Sequence, residues 1–270
     1  MSIISVPASY YEEFDADYTR DVPAEGYGGW KKASLPLNTE TTALVVMHAW
    51  DCGTYGQYPG WWRAVEYIPR SIEIGRTVVP KLLSAVRSST MRVLHVAGGE
   101  NGYYKKYEGY RFACSLPGAM EKDGTHGVDA DPAYEALRGF KGRLGSHNKK
   151  DIENGFAHVD FLPEARPAGA EGVAENAHQL YALCRHHRIN HLIYAGFAID
   201  WCLLLSSGGM EDMRRRGLLC SAVRQAVTAV ENNVSARKEL WKEHGLWRVA
   251  VDFGLVYDLD DLVSALGRGA

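Results

Sequence analysis

The run Gly196-Phe-Ala-Ile-Asp-Trp-Cys202 is the part of this sequence best suited to covalent chemistry. It follows a continuous apolar stretch and leads into a helical pattern. A cysteine in the first turn of a helix sits among unpaired backbone N–H groups at the positive end of the helix dipole. Both features favour the thiolate over the thiol, and the same N–H groups can stabilise an oxyanion. Asp200 stands where an N-cap side chain belongs. The competing reading of Cys202 is a small apolar residue packed under a helix, which is what most cysteines are.

Other residues compete for a chemical role. Cys184, His187 and His191 are spaced as i, i+3, i+7 and could form a metal corner, although histidines also end helices, where their positive form suits the dipole. Trp50, Tyr55, Tyr58, Trp61 and Trp62 crowd one loop and would wall a pocket for a planar substrate or fill a subunit interface. Tyr103, Tyr104, Lys105, Lys106 and Tyr107 read as a lid or as a solvated loop.

The elements that must position these residues are visible as periodicities. Thr42-Ala-Leu-Val-Val-Met-His48, Met91-Arg-Val-Leu-His-Val-Ala97 and His191-Leu-Ile-Tyr-Ala195 are short, continuously apolar runs, as expected of strands covered on both faces. Leu218 to Val223 is another, and Phe156-Ala-His-Val-Asp160 and Trp247 to Val251 are shorter candidates. Between them, Ile72, Val79, Leu82, Leu83 and Val86 recur at helical spacing, with Pro80 suiting a first turn. Val173, Ala177, Leu180, Tyr181 and Cys184 form one helical face. Cys202 to Arg216 and Val234 to His244 read as helices, the first weakened by Gly208-Gly209. Val256 to Leu266 closes the chain with a strand or turn and a helix. Alternation of strands and helices predicts a three-layer α/β/α sandwich around a parallel, Rossmann-like sheet of about six strands. Residues 1–40 read as an N-terminal arm over the surface, 41–270 as one α/β domain, and about 98–155 as an insertion in it with one short helix near Pro132 to Arg138.

Composition narrows the function classes. The formal net charge is −3, and no Lys/Arg cluster is dense enough to follow phosphates, so nucleic acid is not the expected partner. No stretch approaches a membrane span, and residues 1–10 lack the pattern of a signal peptide. The five cysteines form no framework, which predicts reduced thiols and a cytoplasmic location. No CxxC or HExxH occurs, so zinc is not expected, and no cofactor is called for.

The stretch Leu192-Ile-Tyr-Ala-Gly-Phe-Ala-Ile-Asp-Trp-Cys202, followed by Met210-Glu-Asp-Met-Arg-Arg-Arg-Gly217, resembles the nucleophile segment of the isochorismatase-like cysteine hydrolases, with Ile199 in place of the usual Thr. Residues 42–97 and about 156–232 are similar to the rest of that pattern. The resemblance implies attack of Cys202 on an amide-type carbonyl. It also implies a cis peptide between Phe197 and Ala198 and an oxyanion hole built from the N–H groups of Ala198 and Cys202. The family's Asp at the end of the first strand falls on His48, and its Lys at the end of the third falls on Asp160 or Phe161. A histidine can take the thiol proton and return it to a leaving amine, and a carboxylate can orient that histidine. The expected catalytic set is therefore Cys202, His48 and Asp160, with Trp50, Asp51, Phe161 and Phe197 as neighbouring substrate-binding residues. Lys149 or Lys150 as the family Lys, and Asp51 as the carboxylate, remain open. The metal-binding relatives, the nicotinamidases, carry an Asp-x-His cluster that Ala97-Gly-Gly-Glu-Asn101 lacks.

The expected activity is cleavage of a C–N bond in a small amide, ureide or imide through a thioester, by a homo-oligomer acting on a small molecule. Vinyl ether hydrolysis of the isochorismatase type, or a binding or assembly role without catalysis, are the alternatives.

Overall fold

The structure is a computed structural model and describes residues 3–98, 103–121, 132–133 and 140–268. Residues 134–138 of the expected short helix lie outside the described residues. The chain opens with two antiparallel strands, β1 (Ile3–Glu12) and β2 (Gly29–Asn38), then β3 (Thr42–Met47). Three helices follow, α1 (Pro59–Ala64), α2 (Ile68–Thr77) and α3 (Val79–Arg87), before β4 (Arg92–Val96) and α4 (Glu108–Ser115). Next come α5 (Lys149–Ala157), β5 (Gly172–Ala174), α6 (Ala177–His187) and β6 (His191–Phe197). Two short helices, α7 (Cys202–Leu205) and α8 (Met210–Arg215), precede β7 (Leu219–Thr228). The chain ends with α9 (Leu240–Arg248), β8 (Val256–Tyr257) and α10 (Leu259–Arg268).

The eight strands form one sheet in the order β2-β1-β8-β7-β6-β3-β4-β5. The six from β8 to β5 are parallel, as the alternation of elements predicts. Burial explains why β3 and β6 were legible: all residues of both strands are buried, so neither face needs polar residues. Ala43, Val45 and Met47 pack toward α6, α7, α8 and α9 through Leu180, Leu183, Leu203, Met213 and Leu246. Leu44 and Val46 pack toward α3 and α10 through Leu82, Leu83, Val86, Leu262 and Leu266. This is the expected three-layer sandwich.

Four expectations need correction. The arm is not a loose cover: β1 pairs with β8 and with β2, and Val6, Ala8 and Leu37 join the core. Pro7 and Pro36 hid these strands, because proline argues against a strand interior; Pro36 is tolerated on the edge strand β2, and Pro7 lies just outside the two residues of β1 that pair with β8. The run 156–160 is no strand, since α5 extends to Ala157. Val173 belongs to β5 rather than to the following helix, which begins at Ala177 behind Asn176, whose side chain caps the Gln179 N–H. Residues 247–251 are helical, in α9 and a π-turn at Val249–Phe253.

The hairpin's place in the core gives a direct test. Leu37 is 2% exposed, so Leu37→Ala should cost about 2–5 kcal/mol in urea unfolding. A loss under about 0.5 kcal/mol, the range of an ordinary surface change, would mean that the hairpin does not share the core.

Candidate active site

Strand register brings the candidate residues into one row. Met47 of β3 pairs with Val96 of β4 and Gly196 of β6, and Val96 pairs with Ala174 of β5. One residue further, at the carboxyl edge, stand Glu175, Ala97, His48 and Phe197. The order β5-β4-β3-β6-β7-β8 reverses direction between β3 and β6, and the crevice at such a switch point is where doubly wound sheets bind ligands. Gly196 makes the junction possible. Its φ is +131°, and a Cβ there would overlap the Met47 carbonyl.

Beyond Gly196 the Phe197–Ala198 peptide is cis, as the resemblance implies. The loop is then tied to the exit of β7: the Ile199 N–H donates to the Thr228 carbonyl at 2.8 Å, and the Val230 N–H donates to Asp200 Oδ1 at 2.9 Å. The Ala198 carbonyl accepts from Trp201 and Leu203 N–H at 3.3 and 3.0 Å. Among the described residues the N–H groups of Ala198 and Cys202 have no hydrogen-bond partner. Cys202 is half-buried and begins α7. That helix is shorter than expected, because Gly208-Gly209 separates it from α8, and a four-residue helix supplies little dipole. Asp200 does not cap it either; Trp201 occupies the N-cap, and the Asp200 carboxyl serves Val230. Burial raises that carboxyl to about 6.

His48 follows β3 in a left-handed conformation, φ +54°. Its N–H donates to the Val96 carbonyl at 2.9 Å, and its ring stacks on Trp50 with centroids 4.4 Å apart. Trp50 is fixed by its indole N–H, which donates to the Ala97 carbonyl at 2.8 Å. Gly98 leaves room for the imidazole: a Cβ there would sit 2.9 Å from Nε2. His48 is 7% exposed, its Nδ1 has no partner among the described residues, and burial lowers its pKa to about 4. The ring is therefore neutral near pH 7 and can accept a proton.

Asp160 is not the partner that orients this ring. Its carboxylate takes Lys106 Nζ at 2.6 Å, the Tyr107 hydroxyl at 2.8 Å and the Phe161 N–H at 2.8 Å. Burial alone would raise its pKa, but these donors, Lys106 and Tyr107 foremost, hold it below the ordinary value. The residue lies in a loop running antiparallel to 49–51, where its carbonyl accepts from the Asp51 N–H and Phe161 bridges Trp50. The third parallel strand is β5, and the residue at its carboxyl end is Glu175, buried and bonded by the Tyr110 hydroxyl at 2.6 Å. The sequence does carry a signal for it: Gly172-Val-Ala-Glu-Asn176 sits directly before a helix that leads into β6.

The other candidates divide clearly. Trp50 flanks His48, whereas Phe161 and Phe197 are core residues. Asp51 is exposed and accepts the Gly53 N–H. Lys149 and Lys150 are exposed on α5, far from any strand end in sequence. Cys184 packs in the core, and His191 Nε2 meets Ser221 Oγ at 2.8 Å. The aromatic loop folds into α1 and buries Trp61, and Tyr104 packs against Phe161, so neither segment is a free loop. Tyr67, at the start of α2, was not singled out by sequence; its hydroxyl is pushed up by burial and then by the neighbouring Cys202, Cys52 and Asp200.

These features make up a three-layer α/β fold of the isochorismatase-like type. A cysteine hydrolase from Pseudomonas syringae pv. phaseolicola has a similar fold, with TM-score 0.52 and 14% identity over 87% of this chain and 97% of that one. An isochorismatase family protein from Burkholderia thailandensis matches at TM-score 0.47 and 16% identity, over 86% and 97%. N-carbamoylsarcosine amidase from Thermoplasma acidophilum matches at TM-score 0.42 and 15% identity, over 82% and 97%. No family model and no curated protein matches the chain in sequence. Among the described residues no helix is long and apolar enough to cross a membrane.

Three histidines, His48 and His191 buried and His187 half-buried, set a pH dependence. His48, His187 and His191 are each lowered to about 4, mainly by burial. As pH falls below about 6.5, the unfolded chain binds protons that the folded chain refuses, so stability is lost from about pH 6.5 toward 4. Asp200, raised to about 6, opposes this in part, because its folded state gains protons first. The urea midpoint should fall between pH 7 and 5, less steeply in His48→Gln. An unchanged slope in that variant would contradict a buried neutral His48.

Proposed function

We propose that this protein is a metal-independent cysteine hydrolase that cleaves a C–N bond in a small amide, ureide or imide. The observation that carries this reading is the turn after β6, where Cys202 begins α7 and the Ala198 and Cys202 N–H groups have no partner among the described residues. A backbone donor left unpaired beside a half-buried thiol is costly unless a ligand completes it. In the reaction, His48 takes the Cys202 proton and the sulfur attacks the substrate carbonyl. The oxyanion is met by the N–H groups of Ala198 and Cys202. Collapse of the tetrahedral adduct expels the amine, which receives the proton from His48 and leaves a thioester at Cys202. Water, deprotonated by the same imidazole, then releases the acid. Trp50 holds the imidazole face, in place of an orienting carboxylate.

Exposure narrows the choice of nucleophile to Cys202 and Cys114, and of these only Cys202 stands in the turn after β6. Burial raises Cys52 and Cys184 to about 12 and Cys220 further, which makes them inert near neutral pH. The test is alkylation by iodoacetamide, followed by mass spectrometry of each cysteine across pH. Cys202 should be modified fastest near pH 7, and His48→Ala should slow it at least about tenfold. Asp160→Asn should leave the Cys202 rate within about twofold, because that carboxylate serves Lys106 and Tyr107. An ordinary thiol rate at Cys202 in the wild type would sink the proposal and favour a binding role.

A further inference from the structure

Arg70 lies one turn into α2, and none of its bonds reaches the nucleophile directly. Its Nε donates to Thr228 Oγ1 at 2.9 Å, and its guanidinium also reaches the Ala229 carbonyl at 3.2 Å. Glu66 holds the guanidinium from behind with two bonds, at 2.9 and 2.8 Å, and the same carboxylate accepts the Glu231 N–H at 2.9 Å. The residues so clamped, Thr228 to Glu231, are the ones that anchor the turn carrying Cys202. The Thr228 carbonyl takes the Ile199 N–H, and the Val230 N–H binds Asp200. Thr228 is fully buried and is paired with Phe197 in the sheet register.

We infer that Arg70 is a positioning residue for the oxyanion hole, acting through Thr228; this rests on the reading of Cys202 as the nucleophile. The Ala198 and Cys202 N–H groups flank Ile199 and Asp200, the residues bonded to the clamped segment, so a shift of Thr228 to Val230 moves the donors. The guanidinium suits this role because its planar fork meets Glu66 on one side while Nε and a terminal nitrogen bridge a side chain and a carbonyl on the other. Lysine offers one point charge and has no such fork. An oxyanion hole is sensitive to small displacements, since its donors must meet the position where charge develops.

The experiment separates two reactions of the same sulfur. Alkylation by iodoacetamide displaces iodide at carbon and forms no oxyanion. Acylation by p-nitrophenyl acetate passes through a tetrahedral oxyanion, then expels p-nitrophenolate and leaves an acetyl thioester on Cys202. In Arg70→Met, acylation should fall at least about tenfold while alkylation stays within about twofold. Arg70→Lys should behave like Arg70→Met. Thr228→Val, which removes only the hydroxyl acceptor, should shift the same ratio in the same direction, and it decides the matter if the arginine variants do not fold. An unchanged ratio of acylation to alkylation, or an equal fall in both rates, overturns the positioning role while leaving Cys202 as nucleophile. A wild-type Cys202 that alkylates but never acylates overturns the hydrolase reading itself.

Discussion

The close contact of Gly196 with the Met47 carbonyl is the constraint on which the site depends. Two fully buried parallel strands, β3 and β6, meet there, and the absence of a side chain lets the second strand leave the sheet at once. A bulkier residue would push β6 away from β3 and separate His48 from the Phe197–Cys202 turn. The row of residues beyond Met47, Val96, Ala174 and Gly196 follows from the register of this junction. Core burial thus fixes the backbone frame, and the frame aims the polar groups.

The electrostatics of the site follow from dryness more than from charge pairing. His48 is kept neutral by burial, with no compensating carboxylate bonded to its ring among the described residues; its stacking partner is Trp50. The carboxylates nearby are committed elsewhere: Asp160 to Lys106 and Tyr107, and Asp200 to the Val230 N–H.

The sheet's central part was legible because burial on both faces leaves continuous apolar runs such as Ala43 to Met47 and Leu192 to Ala195. The cysteine turn and its cis peptide were legible through family resemblance, carried by the residues from Leu192 to Cys202. What escaped had physical reasons. Pro7 and Pro36 concealed an edge hairpin, where their missing donors cost little. The three residues of β5 are too few for a period, so the apolar pattern points to 156–160 for the third strand and to Asp160 rather than Glu175 for its end. Gly208-Gly209 weakened the helix pattern after Cys202, and the structure breaks it there. The anchoring of the turn by Thr228 and Arg70 joins residues over a hundred positions apart, and no local pattern records it.

The most direct measurement is a crystal structure of the protein treated with a small peptide-like aldehyde. Such an aldehyde adds to a nucleophilic thiol and freezes the tetrahedral state. The account predicts a bond from Cys202 Sγ to the aldehyde carbon, with the resulting oxygen about 2.7–3.1 Å from both the Ala198 and Cys202 nitrogens. An adduct whose oxygen points away from those two N–H groups, or an unmodified Cys202 under saturating aldehyde, would contradict it.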